Sequence, residues 1–246
     1  MTVPNIARIA LSIFTLTTVA CSGTPVVDEQ NGRPTRVATA AEEFHAAAAV
    51  WEQAERPDYT AILGHLQAAV ARDPTFSEAW FNMGVVYEQI GENDDAIEAY
   101  RRAHTTDGEM LNALSNVGVI LLRQGRESEA EQLFLEVVAQ EQFHPNANLN
   151  LAQIHRNRAQ QNGVIVEAEA DEAINRVRLA LAGEGRNVHA FETLAAVYFD
   201  LESYALARLV CENAILSGVE SAALYNRLGL IDLAQDDVTD AYANFR

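Results

Sequence analysis

Small residues recur along this chain with a fixed pitch. Val50, Gly84, Gly118 and Ala152 lie 34 residues apart, and Ala195 to Gly229 is 34 again. Only the step from Ala152 to Ala195 differs, at 43, one period with nine residues added. Two more ladders keep step: Ala96, Ala130, Ala173, Ala207 and Ala241, then the bulkier Tyr100, Phe134, Val177, Cys211 and Phe245. A period of this length is that of stacked helical hairpins, each burying its apolar face only against its neighbours. The small positions let two helix backbones approach, and the bulky ones fill the groove between them.

Inside each period the spacing is helical. The first hairpin pairs Glu42–Ala54 with Tyr59–Arg72, joined at Arg56-Pro57-Asp58. In the second, Ser77 to Ile90 carries Trp80, Met83, Gly84 and Tyr87 on one face. Gly91 ends that helix, and Asp94 or Asp95 is placed to cap the next. Ala96, Tyr100 and Ala103 then follow at i, i+4 and i+7, a single apolar stripe. Proline falls mostly at the ends of helical stretches, at Pro57, Pro74 and Pro145. The pattern predicts an all-α chain.

Trp80, Gly84, Tyr87, Ala96, Tyr100 and Ala103 resemble the tetratricopeptide repeat pattern position by position, with Gly91 at the usual turn. Leu114, Val117, Gly118, Leu121, Gly125, Ala130 and Phe134 repeat it. Phe191, Leu194, Ala195, Tyr198, Ala207, Cys211 and Ala214 do so again, and Tyr225, Leu228, Gly229, Ala241 and Phe245 form the last copy. Leu66, Ala69 and Pro74 fit the back half of the first. The resemblance implies a right-handed superhelical solenoid of about six hairpins over residues 40–246, the last repeat incomplete. Two departures stand out. The fourth repeat carries an insertion at 160–172, expected to lengthen helix A and its turn into a projecting loop. Arg246 falls inside the second helix of the last hairpin, its helix B, so either the natural chain continues or a partner covers that end.

The first 21 residues read as an export leader. Arg8 supplies a positive charge, and Ile9 to Val19 is an apolar or hydroxylated run of about eleven residues, too short for a membrane span of about twenty. Thr18-Val19-Ala20-Cys21 resembles the lipobox of bacterial lipoproteins, with Thr where Leu is usual. The resemblance implies that Cys21 becomes the lipidated first residue of the mature protein. Ser22 in place of Asp implies sorting to the outer membrane, facing the periplasm. Ordinary cleavage after Ala20 is the alternative. Residues 22–39, with Gly23, Pro25, Gly32 and Pro34, lack a helical period and read as a flexible tether.

Charge narrows the partners. The net charge is −18, and all seventeen basic residues are Arg. Such a chain repels phosphate backbones, so nucleic acid is excluded as a partner. Cys211 sits on the bulky ladder and reads as a buried thiol rather than a ligand or nucleophile. The six histidines show no i, i+4 pairing, and no phosphate loop, His-Glu-x-x-His or nucleophile elbow is present. Glu167, Glu169, Asp171 and Glu172 read as a solvated face with charge favourable to a helix start. No catalytic residue, metal ligand, cofactor or small-molecule substrate is indicated.

Binding is the remaining class. In tetratricopeptide superhelices the first helix of each hairpin, helix A, lines a concave groove. Carried over, that implies Phe81, Val85 and Glu88; then Asn112, Ser115, Val119 and Leu122; then Leu149, Gln153 and Arg156; then His189, Glu192 and Phe199. Exposed apolar side chains on such a face mark a binding surface, unless the superhelix covers them itself. Asn82, Asn116 and Asn150 form a further 34-residue ladder, broken at Thr193 and Arg227. An amide offers both donor and acceptor, so such a ladder can hold a peptide backbone or bond locally between repeats. A chaperone-type carboxylate clamp needs basic residues where Ala47, Phe81, Ser115 and Leu149 stand, which disfavours that recognition. The resemblance implies an envelope scaffold of the gliding-motility, type IV pilus or outer-membrane assembly kind, docking a partner's peptide or helix. The alternatives are the N-terminal repeat module of a longer enzyme-associated protein, or a soluble periplasmic adaptor.

Overall fold

A computed structural model of the chain describes residues 26–27, 34–35, 38–52, 56–160 and 165–246. Residues 1–21 with Cys21, and most of the expected tether, lie outside the described residues. Ahead of the helices, β1 (Val26–Val27) pairs antiparallel with β2 (Pro34–Thr35), the only strand pairing among the described residues. Among the described residues, the helices and their connections make up everything after it.

Twelve helices follow among the described residues, in six hairpins: α1 (Ala40–Glu52) with α2 (Tyr59–Arg72), α3 (Ser77–Ile90) with α4 (Asn93–Thr106), α5 (Leu111–Arg123) with α6 (Glu127–Gln140). They continue as α7 (Pro145–Ala159) with α8 (Glu167–Gly183), α9 (Val188–Asp200) with α10 (Tyr204–Leu216), and α11 (Ala222–Ala234) with α12 (Val238–Asn244). The hairpins group into two compact units, divided between Glu109 and Met110. The first holds α1–α4 and a core of Ile62, Leu66, Ala69, Ala79, Met83 and Val86. In the second, α6 packs on α7, α8 on α9 and α10 on α11, so each hairpin is closed by the next.

The small and bulky ladders meet inside each hairpin. A Cβ placed on Gly84 would lie 2.6 Å from the Tyr100 ring, one on Gly118 2.6 Å from Phe134, and one on Gly229 2.6 Å from Phe245. Where the small residue is alanine, as at Ala152 and Ala195, the partner on the bulky ladder shrinks to Val177 and Cys211. All four of these are fully buried. Volume is conserved across each contact, as close packing requires. Burial also raises the Cys211 thiol to about 11, so it stays protonated and unreactive.

Turns follow local chemistry. Gly91 adopts φ +86° and closes α3, its N–H donating to the Glu88 carbonyl at 3.2 Å. The chain re-enters helix at once, so Glu92 holds the cap position without a side-chain bond. Asp94 and Asp95, expected as caps, lie instead in the first turn of α4, where they face the helix's positive end.

The insertion is divided among helix A, the connection after it and the start of the following helix. α7 runs seven residues past Ala152 where α5 runs five past Gly118, and the connection to the next helix covers 160–166 where its counterpart covers 124–126. α8 begins six residues before Ala173 where α6 begins three before Ala130. Residues 161–164 lie outside the described residues. The Val166 N–H donates to the Ala159 carbonyl at 3.0 Å, and His155 Nδ1 lies 2.7 Å from Glu169 Oε2, so the added segment is tied back to α7. The acidic run Glu167–Glu172 forms the start of α8, and Glu172 is paired with Arg176.

His144 caps α7. It is buried, and its Nδ1 accepts the Ala147 N–H at 3.2 Å, which requires that nitrogen to be unprotonated. Burial lowers its pKa from the ordinary value near 6.5. A lowered folded-state pKa gives stability that is fully present above 6.5 and is lost as pH falls through the folded value. The expected result is a melting temperature that falls in wild type as pH drops below 6.5, with a shallower fall in His144→Asn, which keeps the cap. An unchanged profile would remove His144 as the cause.

Candidate peptide-docking face

In the second unit the A helices touch one another in sequence, α5 with α7, α7 with α9, and α9 with α11. Their inner surfaces pack onto the B helices, and the residues turned away from that core form the candidate face. On α5 this face holds Asn116, Val119 and Leu122, all half-buried, with Asn112 exposed. The Asn116 side chain makes no hydrogen bond among the described residues, leaving donor and acceptor open. Ser115, expected on the same face, is 1% exposed and belongs to the interior. Its neighbours Leu114 and Val117 are buried on the same helix, and the small Ser115 side chain is enclosed with them.

On α7, Leu149 is half-buried against the cluster of Ala152, Ala173 and Leu194, so part of its apolar surface is already used. Asn150 donates from Nδ2 to the Asn146 carbonyl at 2.8 Å, and Gln153 donates from Nε2 to Asn157 Oδ1 at 2.7 Å. Both amides spend a donor along their own helix. Of the two readings of the asparagine ladder, Asn150 thus shows local bonding, but within its helix rather than between repeats.

The first unit carries Phe81, Asn82 and Val85 on α3, all half-buried. Phe81 is less available than its spacing suggests, because its ring lies 5.3 Å from that of Tyr100. Tyr100 is inserted over Gly84, one turn further along α3, and Phe81 leans on it. The Tyr100 hydroxyl donates to Glu88 Oε2 at 2.7 Å, drawing Glu88 into the same hairpin. Asn82, like Asn116, makes no side-chain hydrogen bond among the described residues.

Ionic contacts supply what periodicity did not reveal. Arg158 of α7 forks onto Glu131, with both contacts at 2.7 Å, and reaches Glu127 at 2.9 Å, tying α7 to the previous hairpin. The guanidinium donating to it holds Glu131's carboxyl below the usual carboxylate range. Arg156 binds Asp200 of α9 at 2.5 Å, and Arg227 of α11 stacks 5.0 Å above the Phe199 ring. Arg208 pairs with the buried Asp232 at 2.5 Å. These residues occupy different repeat positions in different hairpins, so no ladder marks them; the break of the asparagine series at Arg227 was the one visible signal. Among the described residues no three His, Cys, Asp or Glu side chains converge as metal ligands would. No described helix is long and apolar enough to cross a membrane.

Six hairpins, five of them with a small residue of helix A under a bulky residue of helix B, make this a tetratricopeptide-repeat fold. Residues 77–109 match the family model for the tetratricopeptide repeat. Solved structures share the fold. PilW, described as a widely conserved type IV pilus biogenesis factor, aligns over 83% of this chain and 90% of its own at 20% identity, with a TM-score of 0.66. The pilF protein of Pseudomonas aeruginosa aligns over 83% and 88% at 19% identity, TM-score 0.66. Yeast Tom70 matches 84% of this chain with 42% of its own, at 18% identity and a TM-score of 0.62. No curated protein sequence matches the chain.

Proposed function

We propose that this protein is a non-catalytic scaffold of the cell envelope, lipid-anchored through Cys21 in the outer membrane and facing the periplasm. On this reading it docks a peptide or helix of a partner on its A-helix face and supports assembly of a motility- or secretion-type complex. Asn116 carries the proposal: its amide, open for both donation and acceptance, stands beside half-buried Val119 and Leu122 on one helix face. Such a combination suits an extended or helical segment, whose backbone needs amide partners and whose apolar side chains need cover. The likeness to PilW and pilF favours a pilus-type assembly over a gliding machine.

The test is capture of envelope proteins by crosslinking to wild type and to Asn116→Ala with Val119→Arg. The double variant is expected to lose at least tenfold of the captured partner, at about 1.4 kcal/mol per tenfold, while its helical content and melting stay near wild type. Undiminished capture would remove this face from the account.

A further inference from the structure

Arg227 is a half-buried cation without a carboxylate partner among the described residues, in a chain of 35 acidic and 17 basic side chains. The carboxylate that acts on it, Asp200, is engaged elsewhere, holding Arg156 at 2.5 Å. Phe199 covers one face of the Arg227 guanidinium, with 5.0 Å from Cζ to the ring centroid. Its N–H donors lie in the guanidinium plane, clear of the ring, and make no hydrogen bond among the described residues. Burial and the nearby Arg156 disfavour the charged form, and the Asp200 carboxylate only partly offsets them. A desolvated cation beside another cation costs free energy that an incoming anion would recover.

The position is as informative as the environment. Arg227 occupies the register of Asn116, whose amide faces a docked segment in the proposed function. We infer that Arg227, backed by Phe199 and with Arg156 adding positive potential, is a subsite for the side-chain carboxylate of an aspartate or glutamate in the docked segment. The inference rests on the docking reading and adds a charge requirement to it: a partner segment with apolar anchors for α5 and α7, then an acidic residue toward α11. It differs from recognition of a chain terminus by lysine-rich clamps, since the receiving group is one stacked arginine.

The test is selection of random displayed peptides on the full chain. Selected peptides are expected to carry Asp or Glu at one fixed place among apolar residues. A synthetic representative should lose about tenfold in affinity when that acid becomes its amide, and about tenfold on Arg227→Met, with no further loss when both are changed. Melting of Arg227→Met, which keeps the stem over Phe199, checks that the unit remains folded. The peptide-side change reads the same contact with the protein untouched. Binders without a fixed acid, acid-dependent binding that survives Arg227→Met, or a requirement only for the terminal carboxylate would each overturn the subsite. In those cases loss of binding on Val119→Arg with Leu149→Arg still upholds the docking face. Failure to select any binder, or binding indifferent to those two changes, removes both.

Discussion

Phe134→Ala is expected to destabilise the second unit by about 3–5 kcal/mol, read as a lowered urea midpoint. Phe134 is fully buried, and its ring fills the space left by Gly118 on the facing helix. The opposite change probes the same contact. Gly118→Ala brings a methyl to 2.6 Å from the ring. Overpacking of that kind costs about 1–3 kcal/mol, set against a helix-propensity gain of about 1 kcal/mol. Combining Gly118→Ala with Phe134→Val reproduces the pairing that the chain already uses at Ala152 and Val177, both fully buried. The double variant is therefore expected to lose less than the two single changes together. Strict additivity would show that the small and bulky positions do not interlock.

On the proposed lipid anchoring, Cys21→Ala moves the protein from the membrane pellet to the soluble fraction. Each buried methylene of an acyl chain contributes about 0.8 kcal/mol to membrane binding, so loss of the chains removes the attachment almost entirely. Mass spectrometry of the wild-type mature N-terminus should show the lipid adduct on Cys21. Unchanged partitioning, or an unmodified terminus after Ala20, would support the soluble adaptor instead.

Most of the architecture was legible because repetition multiplies weak signals. A glycine at one position means little, but Gly84, Gly118 and Gly229 in register, each with an aromatic sixteen residues later, define a contact. Helix bounds at Tyr59–Arg72 and Ser77–Ile90 coincide with the apolar spacing and its flanking Pro and Gly. The docking face was less legible, for a reason visible in Phe81 and Ser115. Helical spacing tells which side of a helix a residue occupies, but the side chains packed around it decide how deeply it is covered. Tyr100 draws Phe81 toward its own hairpin, and the interior encloses Ser115. Charge pairs between hairpins, such as Arg158 with Glu131 or Arg156 with Asp200, join residues 27 and 44 positions apart. Those separations fall off the 34-residue period, so no ladder announces them. The insertion kept its helical character at both ends, which hid how its residues divide between α7, the turn and α8.

Site-specific photocrosslinking measures the docking claim most directly. A benzophenone side chain replacing Gln153, half-buried on the A-helix face, is compared in the native envelope with one replacing Leu209, 51% exposed on helix B of the fifth hairpin. A discrete partner crosslinked from position 153, mapping to a segment with apolar residues, and none from position 209, is the expected result. Partners crosslinked from position 209 alone would place binding on the opposite helices and contradict it.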